Sequence, residues 1–92
     1  MRATVVNLVT PHLLRVIDLA SQAQNGAKVD WHLRDAVSGT VRQLGEQFNA
    51  SSLMTAYVDG LEAAARQAPR SHAVYADALR AAATAARDLW RE

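Results

Sequence analysis

The chain has 92 residues, of which 50% are hydrophobic and 21% charged, enough for one domain with a small core. Its ten basic and nine acidic side chains leave a net charge of +1, which excludes the strongly basic surface that binds nucleic acid or anionic membranes. The chain contains no cysteine, and no apolar run approaches the roughly 20 residues of a membrane span. We therefore expect a cytoplasmic protein with no nucleic-acid or membrane partner.

Apolar residues recur at spacings of three and four along almost the whole chain, as in amphipathic helices. This periodicity predicts an all-α fold, a small antiparallel bundle of about four helices in a single domain over residues 1–92. The predicted helices cover roughly residues 3–24, 31–48, 52–68 and 72–91. Nineteen residues are alanine, which favours helices and fills little volume, so we expect closely spaced helices.

The start of the first helix is ambiguous. Thr10-Pro11 is typical of an N-cap followed by proline at the first helical position, where its missing N–H is harmless. The β-branched residues 3–9 could form a strand. The rest of the chain offers no partner strand, so such a strand would have to pair with a second copy, and we favour a helical turn or a kinked helix extension instead. Gln24-Asn25-Gly26 predicts the end of this helix.

The other boundaries are marked by polar residues and by breakers. Asp30 is the predicted N-cap of the second helix and Ser71 of the fourth, while Asn49, Ser51 or Ser52 caps the third. Gly45 offers an earlier end for the second helix, and Pro69 ends the third.

The helical stripes also predict the core. The predicted core residues have large apolar side chains, and within each helix they follow one another at spacings of three and four. They are Leu13, Ile17, Val37, Val41, Leu44, Phe48, Tyr57, Leu61, Leu79 and Leu89.

Apolar residues cover more than one face of the first helix. Such a helix lies either at the centre of the bundle or carries an exposed patch used for association. Two tryptophans near helix ends add large contact surfaces of the kind that concentrate binding energy in interfaces. The candidate interface residues are Val6, Leu8, Leu14, Leu19, Trp31 and Trp90.

Residues able to support catalysis or bind a metal are dispersed. His12, His32 and His72 lack the spacing of metal-binding helices, and we expect all three on the solvated surface. The carboxylates form no predicted dyad. Glu62 with Arg66, and Asp77 with Arg80, have the spacing of ordinary surface ion pairs. The sequence therefore predicts no catalytic residue, metal site or cofactor.

Ser52-Leu53, at the predicted start of the third helix, resembles the modified serine of acyl carrier proteins, which are four-helix domains of similar size. The resemblance implies a carrier function with Ser52 as the modified residue. The chain departs from that family in having Ser51 where an aspartate normally precedes the serine, and in having Arg66 and Arg70 where an acidic surface is expected.

Together these features predict a non-enzymatic protein–protein interaction module that associates through the apolar first helix, with its own copy as one possible partner, in a homodimer. One alternative is a carrier or ligand-holding bundle with Ser52 modified, although the alanine-rich helices disfavour an internal small-molecule cavity. Another is a regulator or inhibitor of a host enzyme, including one encoded by a phage.

Overall fold

The computed structural model describes residues 2–90, which form four α-helices and no strand. They are α1 (Arg2–Gln24), α2 (Asp30–Gly45), α3 (Ala50–Gln67) and α4 (Ala73–Trp90). The predicted all-α bundle of four helices is confirmed, and residues 3–9 belong to α1. No helix among residues 2–90 is long and apolar enough to cross a membrane.

The prediction that Thr10-Pro11 begins a helix is wrong, because α1 continues through Pro11. Proline in a helix removes one N–H donor and crowds the preceding turn. The Thr10 hydroxyl donates a 2.7 Å hydrogen bond to the Val6 carbonyl, so the side chain contacts the same stretch of backbone that the proline disturbs. Residues on both sides of Pro11 pack against the core, with Val9 and Val16 fully buried. Tertiary packing therefore outweighs the local preference of proline for a helix start.

The end of α1 was predicted correctly and has a defined geometry. Gly26 has a φ of 99°, the only positive φ among the described residues. The N–H of Gly26 donates to the Ala23 carbonyl, and that of Ala27 to the Gln22 carbonyl, both at 3.0 Å. This is a Schellman motif, which satisfies the last carbonyls of the helix.

Of the other predicted caps, Asn49 takes the N-cap position of α3, whereas Asp30 and Ser71 do not take those of α2 and α4. Val29 and Asn49 occupy the N-cap positions of α2 and α3 without a side-chain hydrogen bond, so Asp30 lies inside its helix, as do Ser51 and Ser52. Ser71 precedes the first residue of α4 by two positions. Polar residues near a helix start mark the region, but the buried Val29 takes the cap because its side chain belongs to the core.

The ends of α2 and α3 also differ from the predicted ranges, and α2 takes the earlier end that Gly45 offered. The helix α2 ends at Gly45 rather than at residue 48, and Ala68 is extended, with ψ of 141°, as expected before Pro69. The predicted last residue of the fourth helix, 91, lies outside the described residues.

Contacts between side chains define how the helices run. His12 contacts Thr40, and the Gln24 side chain accepts a 3.1 Å hydrogen bond from the Tyr75 backbone N–H, so α1 is antiparallel to both α2 and α4. The helices α1, α3 and α4 pack most extensively on one another, while α2 packs on α1 and α4 and makes its smallest contact with α3. The bundle is 38 × 24 × 19 Å.

Most of the predicted core is buried. Tyr57, Leu61 and Leu79 are fully buried, as are Val37 and Leu44 apart from a few per cent. The partly buried positions that pack against this core are Leu13, Ile17 and Val41.

The predicted core position is wrong for two residues. Phe48 is completely exposed and Leu89 is half exposed. Since α2 ends at Gly45, Phe48 is in the α2–α3 connection and its helical phase no longer points inwards. Leu89 lies off the buried stripe of α4, whose inward positions near this end are Ala82, Ala83 and Ala86.

Candidate functional site

A polar cluster lies where α1, α2 and α3 meet. The Thr40 hydroxyl is 3.0 Å from Nδ1 of His12, and Thr40 is the only buried polar residue among those described. The cluster has two origins in the sequence. Thr40 places a small hydroxyl at a core position of α2, and His12 lies on α1 one turn before Val16. The pair joins α1 to α2 by a hydrogen bond.

Tyr57 of α3 is the third member of this cluster. Its ring is fully buried, and its hydroxyl makes no well-formed hydrogen bond among the described residues. Burial raises the pKa of Tyr57, while the neighbouring hydroxyl of Thr40 and the positive charge of Arg15 act in the opposite direction. The Tyr57 hydroxyl therefore lies close to both Thr40 and Arg15.

The prediction that His12 is a solvated surface histidine is wrong. Its side chain is partly buried, and desolvation together with the nearby Arg15 charge lowers its pKa below the ordinary 6.5. His12 is consequently held neutral near pH 7. The residues His32 and His72 are exposed, as predicted.

The six candidate interface residues fall into three groups. Val6, Leu8 and Leu14 of α1 are 57%, 41% and 58% exposed, so the apolar first helix does carry an uncovered surface. Trp31 is also exposed, at the first turn of α2. The remaining two are corrected: Leu19 and Trp90 are partly buried and pack against the core.

Trp90 packs against the end of α2. A Cβ added to Gly45 would lie 3.1 Å from its ring, so the missing side chain of Gly45 leaves room for the indole. Spacing within α4 could not reveal this contact, because it depends on where α2 ends.

Sequence reasoning missed the most exposed aromatic residue, Phe48. An antiparallel bundle places the start of α1, the α2–α3 connection and the end of α4 at one end of the molecule. Val6, Leu8, Phe48 and Leu89 are therefore at the same end, which we call the α1-start end. The signal that could have located Phe48 was Gly45, read as the end of α2.

The other predicted features have ordinary surface positions. Ser52 is exposed at the start of α3, beside an open depression lined by Ser51, Thr55 and Asp59. Asp77 pairs with Arg80 at 3.0 Å, as predicted. Glu62 pairs with Arg87 of α4 rather than with Arg66, because the neighbouring helix brings a guanidinium nearer.

Residues 2–90 contain no group of three or more histidines or carboxylates that could hold a metal ion. No protein-family model, curated protein or solved structure matches the chain. The surfaces described above are therefore the basis on which a function can be argued.

Proposed function

We propose that this chain is a non-enzymatic interaction module that binds a second copy of itself through the α1-start end. The observation that carries the proposal is the exposure of four large apolar side chains at that end, those of Val6, Leu8, Phe48 and Leu89. Soluble monomers rarely leave several large apolar groups together in water, and such patches usually mark interaction sites.

The chain exposes more surface than a compact monomer of its mass. It exposes 6049 Å². A compact monomer of 10.0 kDa is expected to expose about 5,200 Å². The packed helices therefore leave more surface uncovered than is usual for this size, which is compatible with association.

Charge and symmetry favour a second copy as the partner. With a net charge of +1, two copies repel each other only weakly. A twofold axis brings the α1-start ends of both copies together, so the Phe48 side chain of each copy would meet apolar groups of the other. Burying one phenylalanine side chain contributes about 1.5–3 kcal/mol.

The test is sedimentation equilibrium over a wide concentration range, with Phe48→Ser as the variant. Phe48 lies in a connection and contributes nothing to the core, so the variant should fold normally. We expect a reversible dimer whose dissociation constant rises about 100-fold or more in the variant, because both copies lose the side chain.

Trp31→Ser is the matched control, since Trp31 is 69% exposed but lies at the start of α2, at the opposite end of the bundle. It should leave the dissociation constant unchanged. A chain that stays monomeric at millimolar concentration, or a dimer broken by Trp31→Ser and not by Phe48→Ser, would refute the proposal.

A further inference from the structure

A polar groove of about 350 Å³ lies between α1 and α2. His12 and Arg15 form its α1 side, and Gly39, Arg42 and Gln43 are among the residues on its α2 side. Thr40 lies at its base. Because the groove is bounded by two regular helices, its lining is set by the fold rather than by a loop.

The groove contains more hydrogen-bond donors than the described residues use. Neither Arg15 nor Arg42 lies within ion-pair distance of a carboxylate in residues 2–90, although Arg80 and Arg87 both do. Nε2 of His12 likewise has no hydrogen-bond partner there. Glu46 is the one carboxylate of the lining, so positive charge predominates.

The residues behind the groove fix the direction of the imidazole. Thr40 holds Nδ1 of His12 at 3.0 Å, which leaves Nε2 as the nitrogen available to a ligand. The buried Tyr57 hydroxyl, without a well-formed hydrogen bond, lies next to this pair. A Cβ added to Gly39 would meet no atom within 4 Å, so the α2 side of the groove is open to an incoming group.

We propose that this groove binds a small oxyanion, a phosphate or carboxylate group, between the guanidinium groups of Arg15 and Arg42, with Nε2–H of His12 as a third donor. Guanidinium groups match the planar, two-oxygen geometry of both anions, and hydrogen bonds to charged acceptors are roughly twice as strong as neutral ones. The alanine-rich helices disfavour an internal apolar cavity, whereas this site is polar and open.

Binding would reverse the electrostatic environment of His12. Its pKa is lowered by desolvation and by Arg15, with Arg42 and Glu46 the other charged groups of the groove. An anion beside the ring favours the imidazolium and opposes both effects. The proposal therefore predicts a pKa of His12 that rises as the ligand is added.

The test is an NMR titration of the histidine Cε1–H resonances with inorganic phosphate at constant ionic strength, set by sodium chloride. His32 and His72 are exposed and serve as controls within the same molecule. We expect a saturable shift of His12 alone and an upward move of its pKa. A parallel titration with acetate distinguishes the two anions, and the one that saturates at lower concentration names the class.

Arg15→Gln should weaken binding about tenfold or more, because it removes a charged donor. Arg66→Gln is the matched control, as an exposed arginine in the last turn of α3 that does not line the groove. The proposal fails if phosphate and acetate shift His12 no more than chloride does, or if Arg15→Gln binds phosphate as tightly as the unaltered chain. Self-association does not enter either readout, since Phe48→Ser protein can be used throughout.

Discussion

The two halves of the bundle pack in different ways. The helices α3 and α4 contain thirteen alanines in their 36 residues, whereas α1 and α2 contain four in 39. The α3–α4 contact is the most extensive of the bundle, and the α1–α2 contact is one of the two smallest. Small side chains let helices approach until little space remains, as between α3 and α4.

Larger and polar side chains have the opposite effect between α1 and α2. Thr40 and His12 meet through a hydrogen bond, and the space beside them stays open as a groove. The apolar surplus of α1 is exposed as well, at Val6, Leu8 and Leu14. Stability is therefore expected to come mainly from the α3–α4 side, and function from the α1–α2 side.

The strongest test of this difference removes a core leucine from each half. Leu61 of α3 is fully buried and Leu44 lies at the end of α2. Leu61→Ala should lower the free energy of unfolding by about 2–5 kcal/mol, near the upper end because its surroundings cannot collapse. Leu44→Ala should cost less, since the end of α2 is free to relax.

Both values come from urea unfolding followed by circular dichroism. The slope of the free energy with urea must match the unaltered chain for the comparison to hold. An equal or larger cost for Leu44→Ala would contradict the assignment of stability to the α3–α4 side.

Two glycine substitutions, one in each half, should change the free energy of unfolding by smaller amounts and in opposite directions. At Gly60 of α3, an added Cβ would lie 2.7 and 2.9 Å from the two methyl carbons of Leu13. Gly60→Ala should therefore destabilise by about 1 kcal/mol, after the gain in helix propensity is subtracted from the cost of overpacking. Gly39→Ala in α2 meets no atom, and should stabilise by about 0.5–1 kcal/mol.

Leu13→Ala supplies the control for Gly60→Ala. In that background the obstruction is gone, so Gly60→Ala should become neutral or stabilising, and the difference measures the contact. Thermal or urea unfolding of the four chains completes the cycle. If Gly60→Ala stabilises the unaltered chain, Leu13 moves aside easily and the close α1–α3 approach is not a constraint.

The α1–α2 side should also respond to pH. The pKa of His12 is lowered in the folded chain by desolvation and by Arg15, so the unfolded chain binds the proton more readily. Stability is then complete above the ordinary pKa of 6.5 and falls as the pH drops below it, until the lowered pKa has been passed.

His12→Asn keeps an acceptor for the Thr40 hydroxyl but does not titrate, so it should flatten the dependence of unfolding free energy on pH below 6.5. His32→Asn, at an exposed site, should leave it unchanged. A slope that survives in His12→Asn would mean that another group is responsible.

These differences explain what the sequence could predict. Spacing located all four helices and most of the core, because buried positions such as Leu61 and Leu79 repeat with the helical period. The prediction failed where tertiary contacts determine the structure. The helix α1 continues through Pro11 because the residues on both sides of it pack against the core, and Phe48 lies outside the core because α2 ends at Gly45. The groove was missed because His12, Thr40 and Tyr57 are on three helices and share no local pattern.

The smallest expected effect concerns the ion pair between Glu62 and Arg87 on the outside of the α3–α4 contact. Its side chains are 30% and 54% exposed, so water and salt screen their attraction, and Glu62→Gln should cost only about 0.2–1 kcal/mol. Asp77→Asn, which breaks the more exposed pair within α4, is the matched control and should cost less. Urea unfolding in low salt and in 1 M sodium chloride separates the two contributions, because only the electrostatic part disappears at high salt. A cost above about 2 kcal/mol in low salt that disappears in 1 M sodium chloride would show that this pair, and not the alanine contacts alone, holds α3 against α4.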